Sequence, residues 1–151
     1  MQTITTSQIR DAFVAAIEGI TPSFEPLRDS RWSYTPSGRK GGRAELQGKG
    51  TRCFDLVFSA GRPSYLWNGT GLAYFARLAV ATSYSGLDPE ISEHMKTQDS
   101  VDLVRALNAL RDPTLPGLCA VIVQDIANEQ SDDEANVYLE HVFEVHWHQD
   151  A

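Results

Sequence analysis

A chain of 151 residues, 42% hydrophobic and 22% charged, has an ordinary globular composition and the length of a single domain over 1–151 with its own core. Its formal charge of −7 argues against general nucleic-acid binding. No run reaches the ~18 apolar residues of a membrane helix, and the polar start at Met1–Gln8 lacks the apolar region of a signal peptide.

Charge is segregated along the chain. Residues 28–62 hold eight basic residues against three acids, whereas the stretch after Arg111 has nine acids and no Lys or Arg. Cys53 and Cys119 each sit in an apolar run and read as two buried thiols. The alternative, a disulfide, needs adjacent strands and an oxidising compartment.

Ile9, Phe13, Ile17 and Ile20 recur on one helical face and predict a helix over about 6–19. Thr5, Thr6 or Ser7 caps its start, with Thr5 and Gln8 at capping-box spacing; Gly19 ends it and Pro22 follows. A short strand is expected at 31–35, around Trp32 and Tyr34. Residues 36–50, PSGRKGGRAELQGKG, contain five glycines and read as a flexible basic loop. Phe54, Leu56 and Phe58 alternate with Cys53, Asp55 and Val57, which predicts a strand at about 51–59. A turn-rich connection over 60–72 carries Tyr65 and Trp67. Both faces of 73–84 are mostly apolar, as in a central strand.

Residues 85–98 read as a loop with one helical turn begun by Asp88-Pro89. A second helix is expected at about 100–111, capped by Asp99 or Ser100, with Leu103, Leu107 and Leu110 on one face. A hairpin then pairs 118–127 with 137–148 across the acidic turn 128–136. In its last strand Val137, Leu139, His141, Phe143, Val145 and Trp147 share the buried face, and Glu140, Glu144, His146 and His148 the solvent face. The expected fold is α+β. A mixed, mostly antiparallel sheet ends in a C-terminal hairpin and is packed by the N-terminal helix and the helix near 100–111.

Motifs for chemistry fail on spacing. Gly42 to Lys49 has the wrong glycine separation for a phosphate loop, and Gly50 stands where Ser or Thr is required. His146 and His148, with Glu144 nearby, point one way from a strand, but as solvent-facing histidines without a third ligand cluster. His141 reads as a core or interface histidine, and His94 lies alone in a loop. There is no nucleophile elbow, neither cysteine has an activating context, and Glu140 and Glu144 have no apolar pocket to raise a pKa. No catalytic residue, metal or cofactor is expected, and the chain reads as a non-enzyme.

Interaction is the better reading. Arg39, Lys40, Arg43 and Lys49 of the basic loop, and Asp132, Asp133 and Glu134 of the acidic turn, are the candidate protein-contact residues. Complementary patches of this kind suit head-to-tail association, which closes into rings.

The succession SQIRDAFVAAIEGI, RCFDLVFS, FARLAVATSYSG, DSVDLVRALNAL, LCAVIVQDIANEQ and VYLEHVFEVHWH resembles the tail-terminator, or tail-completion, proteins of long-tailed bacteriophages. The resemblance covers nearly the whole chain and rests on element order and apolar alternation. It implies a homo-oligomeric ring, six-membered in that family. The ring would cap the tail tube, stop its polymerisation and offer a joining surface to the head. The implied partners are copies of itself, the tail-tube protein and a head–tail stopper or connector, with no membrane and no specific nucleic acid. The implied location is the tail or neck of the virion, after assembly in the host cytoplasm. Loop 36–50 would then meet the tube or a ring neighbour, and the turn 128–136 another partner or the adjacent subunit. Two alternatives stand beside this: another neck component, such as a head–tail joining or minor capsid protein, and a small metal- or ligand-binding domain using His141, His146 and His148.

Overall fold

The computed structural model describes residues 3–24, 31–35, 52–66, 73–85, 89–130 and 136–148. Helix α1 spans Thr6–Glu18. It starts where Thr5 Oγ1 accepts the Gln8 N–H at 3.2 Å and the Thr5 N–H donates to Gln8 Oε1 at 2.9 Å, so two otherwise orphaned donors are satisfied reciprocally. Ile9, Phe13 and Ile17 are its buried stripe.

Strands β1 (Ser33–Tyr34), β2 (Cys53–Phe58), β3 (Arg62–Pro63) and β4 (Ala73–Ser85) follow, then helix α2 (Pro89–Asn108) and strands β5 (Leu118–Gln130) and β6 (Asn136–His148). The six strands form one sheet in the order β1-β2-β4-β6-β5, with β3 also on β4. β1 and β2 are parallel, all other pairs antiparallel, and β5 and β6 make the C-terminal hairpin. The class is therefore α+β, as the alternation patterns predict.

β2 and β3 flank the same side of β4. Phe58 faces Leu78 while Arg62 faces Phe75, so the chain between them carries one extra residue. That residue makes a bulge, closed by the Ser59 N–H to Arg77 O at 2.9 Å and the Arg77 N–H to Ser59 Oγ at 2.8 Å.

One face of the sheet holds the core. Phe54, Leu56, Ala76, Leu78, Val80, Phe143, Val145 and Trp147 pack there against Ile9, Phe13 and Ile17 of α1 and Leu103 and Leu107 of α2. Both helices thus lie on one side, and the opposite sheet face carries none of the described helices.

Helix α2 corrects the sequence reading. The expected loop at 85–98 and helix at 100–111 are replaced by one helix over Pro89–Asn108, which includes His94. Its first half lacks an apolar stripe because its inward positions are polar: Lys96, Asp99 and Asp102 are buried beside Met95 and Leu103. Asp99 is not a cap. Its carboxylate accepts from Arg52 Nε at 2.8 Å, deep inside the protein. Asp102 accepts the Ser23 N–H at 2.8 Å and hydroxyl at 2.5 Å, and Ser100 Oγ lies 2.9 Å from His141 Nε2. Polar bonds hold this half of the helix where apolar periodicity would otherwise be expected.

The cysteines are free, Cys53 on β2 and Cys119 on β5. With β4 and β6 between their strands, the two strands alone are roughly 14 Å apart, and the cysteines sit near opposite ends of β4, level with Ser83 and with Tyr74–Phe75, beyond the reach of a disulfide. Strand order thus decides for two thiols, of which Cys53 is buried as expected and Cys119 only half-buried. Among the described residues, no helix is long and apolar enough to cross a membrane.

Candidate functional site

Strand alternation puts Val57, Phe75, Arg77, Ala79, Ala120, Ile122, Val142, Glu144 and His146 on the helix-free face. The solvent-facing expectation for Glu144 and His146 is wrong. Glu144 is 7% exposed and His146 fully buried, while Glu140 and His148 are half-buried.

A hydrogen-bonded chain accounts for that burial. Ser64 Oγ lies 2.8 Å from His146 Nδ1, and His146 Nε2 lies 2.6 Å from Glu144 Oε1. The Tyr65 hydroxyl donates to the same carboxylate oxygen, and Gln124 Nε2 donates to the other at 3.3 Å. Phe75 stacks on His146 with ring centroids 5.1 Å apart, and Tyr65 stands edge-on to the histidine at 5.2 Å. The segment after β3 is thereby clamped across β4 and β6 to β5.

The electrostatics follow from these bonds. Burial pushes the Glu144 carboxyl up. The hydrogen bonds from Tyr65 and His146 and the charges of His146 and Arg77 outweigh it, holding the group below the usual carboxylate range. The Tyr65 hydroxyl is raised above its ordinary value by its bond to Glu144, with burial and the Glu144 charge adding to it.

Serine, histidine and glutamate in one chain invite comparison with a nucleophilic triad. The geometry suits a clamp better. Ser64 is 2% exposed, and its Oγ also accepts the Leu66 N–H at 3.2 Å, which ties the hydroxyl into the clamp. Both His146 ring nitrogens are engaged, by Ser64 and Glu144, which leaves neither for a metal. Among the described residues no group of three or more His, Cys, Asp or Glu could hold a metal ion. His141 lies in the core as expected, and burial lowers its pKa to about 4.

Exposed apolar side chains lie beside the clamp and along β5. Tyr65 and Leu66 are exposed beside the clamp and Ile122 is 40% exposed on the same face, whereas Val123 at 37% and Ile126 at 46% lie on the helix side of β5, opposite Phe143 and His141. β5 is the sheet's edge among the described residues, and its 13 residues include no Lys, Arg or Pro. Proteins ordinarily blunt a long edge with such residues or with bulges. Here two register shifts, at Leu118/Ala120 and Val123/Asp125, and the acids Asp125 and Glu129 interrupt it. The other edge, β1, has two residues, and its Tyr34 N–H faces Glu18 Oε2 at 3.4 Å.

The contact residues expected from sequence, Arg39, Lys40, Arg43 and Lys49 in loop 36–50 and Asp132, Asp133 and Glu134 in the acidic turn, lie outside the described residues. The clamp and the β5 edge are not among those expectations. The alternation of Glu144 and His146 was their one sequence signal. The chain matches no protein-family model and no curated protein.

Proposed function

We propose that this protein is a structural component that assembles with copies of itself into a ring, in the manner of a phage tail terminator. The observation that carries the assembly reading is the β5 edge: thirteen residues without a basic or proline guard, exposing Ile122, Val123 and Ile126. An open edge offers backbone hydrogen bonds, and its apolar side chains supply the burial that makes such pairing stable.

Two further features support the reading. Both helices sit on one sheet face, leaving the other face with Tyr65, Leu66 and Ile122 for neighbours. Charge is basic in 28–62 and acidic after Arg111, which favours head-to-tail over self-complementary contact. The terminator role comes from the resemblance in element order. It brings the tail-tube protein and a head–tail stopper or connector as further partners.

Light scattering and negative-stain imaging of the purified protein test this. Discrete rings, and arrest of tail-tube polymerisation on adding them, are the expected results. A monomer at every concentration contradicts the assembly reading, and rings without effect on the tube contradict the terminator role.

A further inference from the structure

Arg62 on β3 and Arg77 on β4 border a hollow of about 150 Å³ completed by Ser59, Ala60, Phe75 and Ala76. The bulge between β2 and β3 forms one wall, since Ser59 is bonded to the Arg77 backbone there. That volume equals the liquid share of roughly five waters, enough for a carboxylate side chain.

Both guanidiniums are exposed. Arg77 stands directly across from Glu144 in the β4–β6 register, and its charge helps hold that carboxyl low. That carboxylate already takes bonds from Tyr65, His146 and Gln124. Among the described residues, neither the Arg62 nor the Arg77 guanidinium makes a hydrogen bond or an ion pair. Two planar forks with unspent donors flank one hollow, an arrangement matched to carboxylates.

The strand ends that flank the chain's own acidic turn lie far from the hollow. Arg62 pairs with Phe75, itself opposite His146, whereas β6 begins at Asn136 opposite Ser85. Ten residues of β4 separate these levels, roughly 33 Å of strand. The residues linking β5 to β6 include Asp132, Asp133 and Glu134. Five residues join Gln130 to Asn136, too few to reach back over that distance at roughly 3.5 Å per residue, so a contact between the link and the hollow must run from one copy to the next.

Resting on the assembly proposed above, we infer that the Arg62–Arg77 hollow receives the carboxylates of the 131–135 link of a second copy. The contact is heterologous: each copy gives its acidic link and offers its arginine hollow, so copies add head to tail. Exposed charge pairs of this kind weaken with salt.

A charge-swap experiment on the full chain tests it, with size measured by light scattering at low salt. Arg62→Glu/Arg77→Glu is expected to weaken association by at least about tenfold, and Asp132→Lys/Asp133→Lys/Glu134→Lys to do the same. An equal mixture of the two is expected to regain the wild-type size, because reversed hollows then meet reversed links in alternation. Circular dichroism spectra and melts matching the wild-type monomer establish that the variants fold. Undiminished association of the arginine variant, or no recovery in the mixture, overturns the inference while leaving the assembly reading intact. A wild-type monomer overturns both.

Discussion

Arg52 and Asp99 meet at 2.8 Å with both side chains fully buried, joining the residue before β2 to the middle of α2. Arg52 also donates to the Phe24 carbonyl and holds a left-handed φ of 60°, uncommon for a residue with a Cβ. A buried pair adds little net stability over an apolar isostere, but removing one partner strands a charge. Asp99→Ala is expected to cost about 3 kcal/mol or more. Arg52→Ala/Asp99→Ala should cost clearly less than the sum of the single changes. Urea unfolding of the three variants measures this, and additive losses would show that the pair is not coupled.

His141 makes stability depend on pH. It is buried beneath α2 and bonded to Ser100, and its pKa falls from 6.5 to about 4 in the fold. The unfolded chain binds this proton more readily, so the stability it represents is fully present above pH 6.5 and is lost as pH falls through 4. The shift corresponds to about 3 kcal/mol. His141→Leu should flatten the acid limb of the stability curve between those values. An unchanged slope in urea titrations at pH 7 and pH 4.5 would contradict this.

Glu144 is the hub of the clamp. Glu144→Gln removes a charged acceptor from Tyr65, His146 and Gln124 and is expected to cost about 2 kcal/mol. Ser64→Ala, which removes a neutral partner of His146, should cost about 1 kcal/mol. Because the Tyr65 hydroxyl is raised chiefly by its bond to Glu144, ultraviolet titration of Glu144→Gln should show one tyrosine ionising at lower pH than in the wild type. No movement of any tyrosine would mean that Tyr65 and Glu144 are not bonded in solution.

Legibility followed the physics of each element. α1 was readable because its cap and its apolar face are local, within Thr5–Ile17. The core face of β6 was readable because alternation is local as well. α2 was misread where its inward residues are Asp99 and Asp102, whose partners Arg52 and Ser23 lie far off in sequence. The clamp was invisible for the same reason: Tyr65 is 79 residues from Glu144, and Ser64 is 82 from His146. The edge position of β5 depends on β4 pairing with β6, which no local pattern encodes.

The β5 edge tests the central claim of assembly most directly. Ile122 and Ile126 are exposed, so Ile122→Lys/Ile126→Lys should change stability by no more than about 0.5 kcal/mol per site while placing charge on the open edge. Light scattering across concentrations should find a discrete oligomer for the wild type and a folded monomer for the variant. A wild type that stays monomeric, or a variant that assembles equally well, would contradict it.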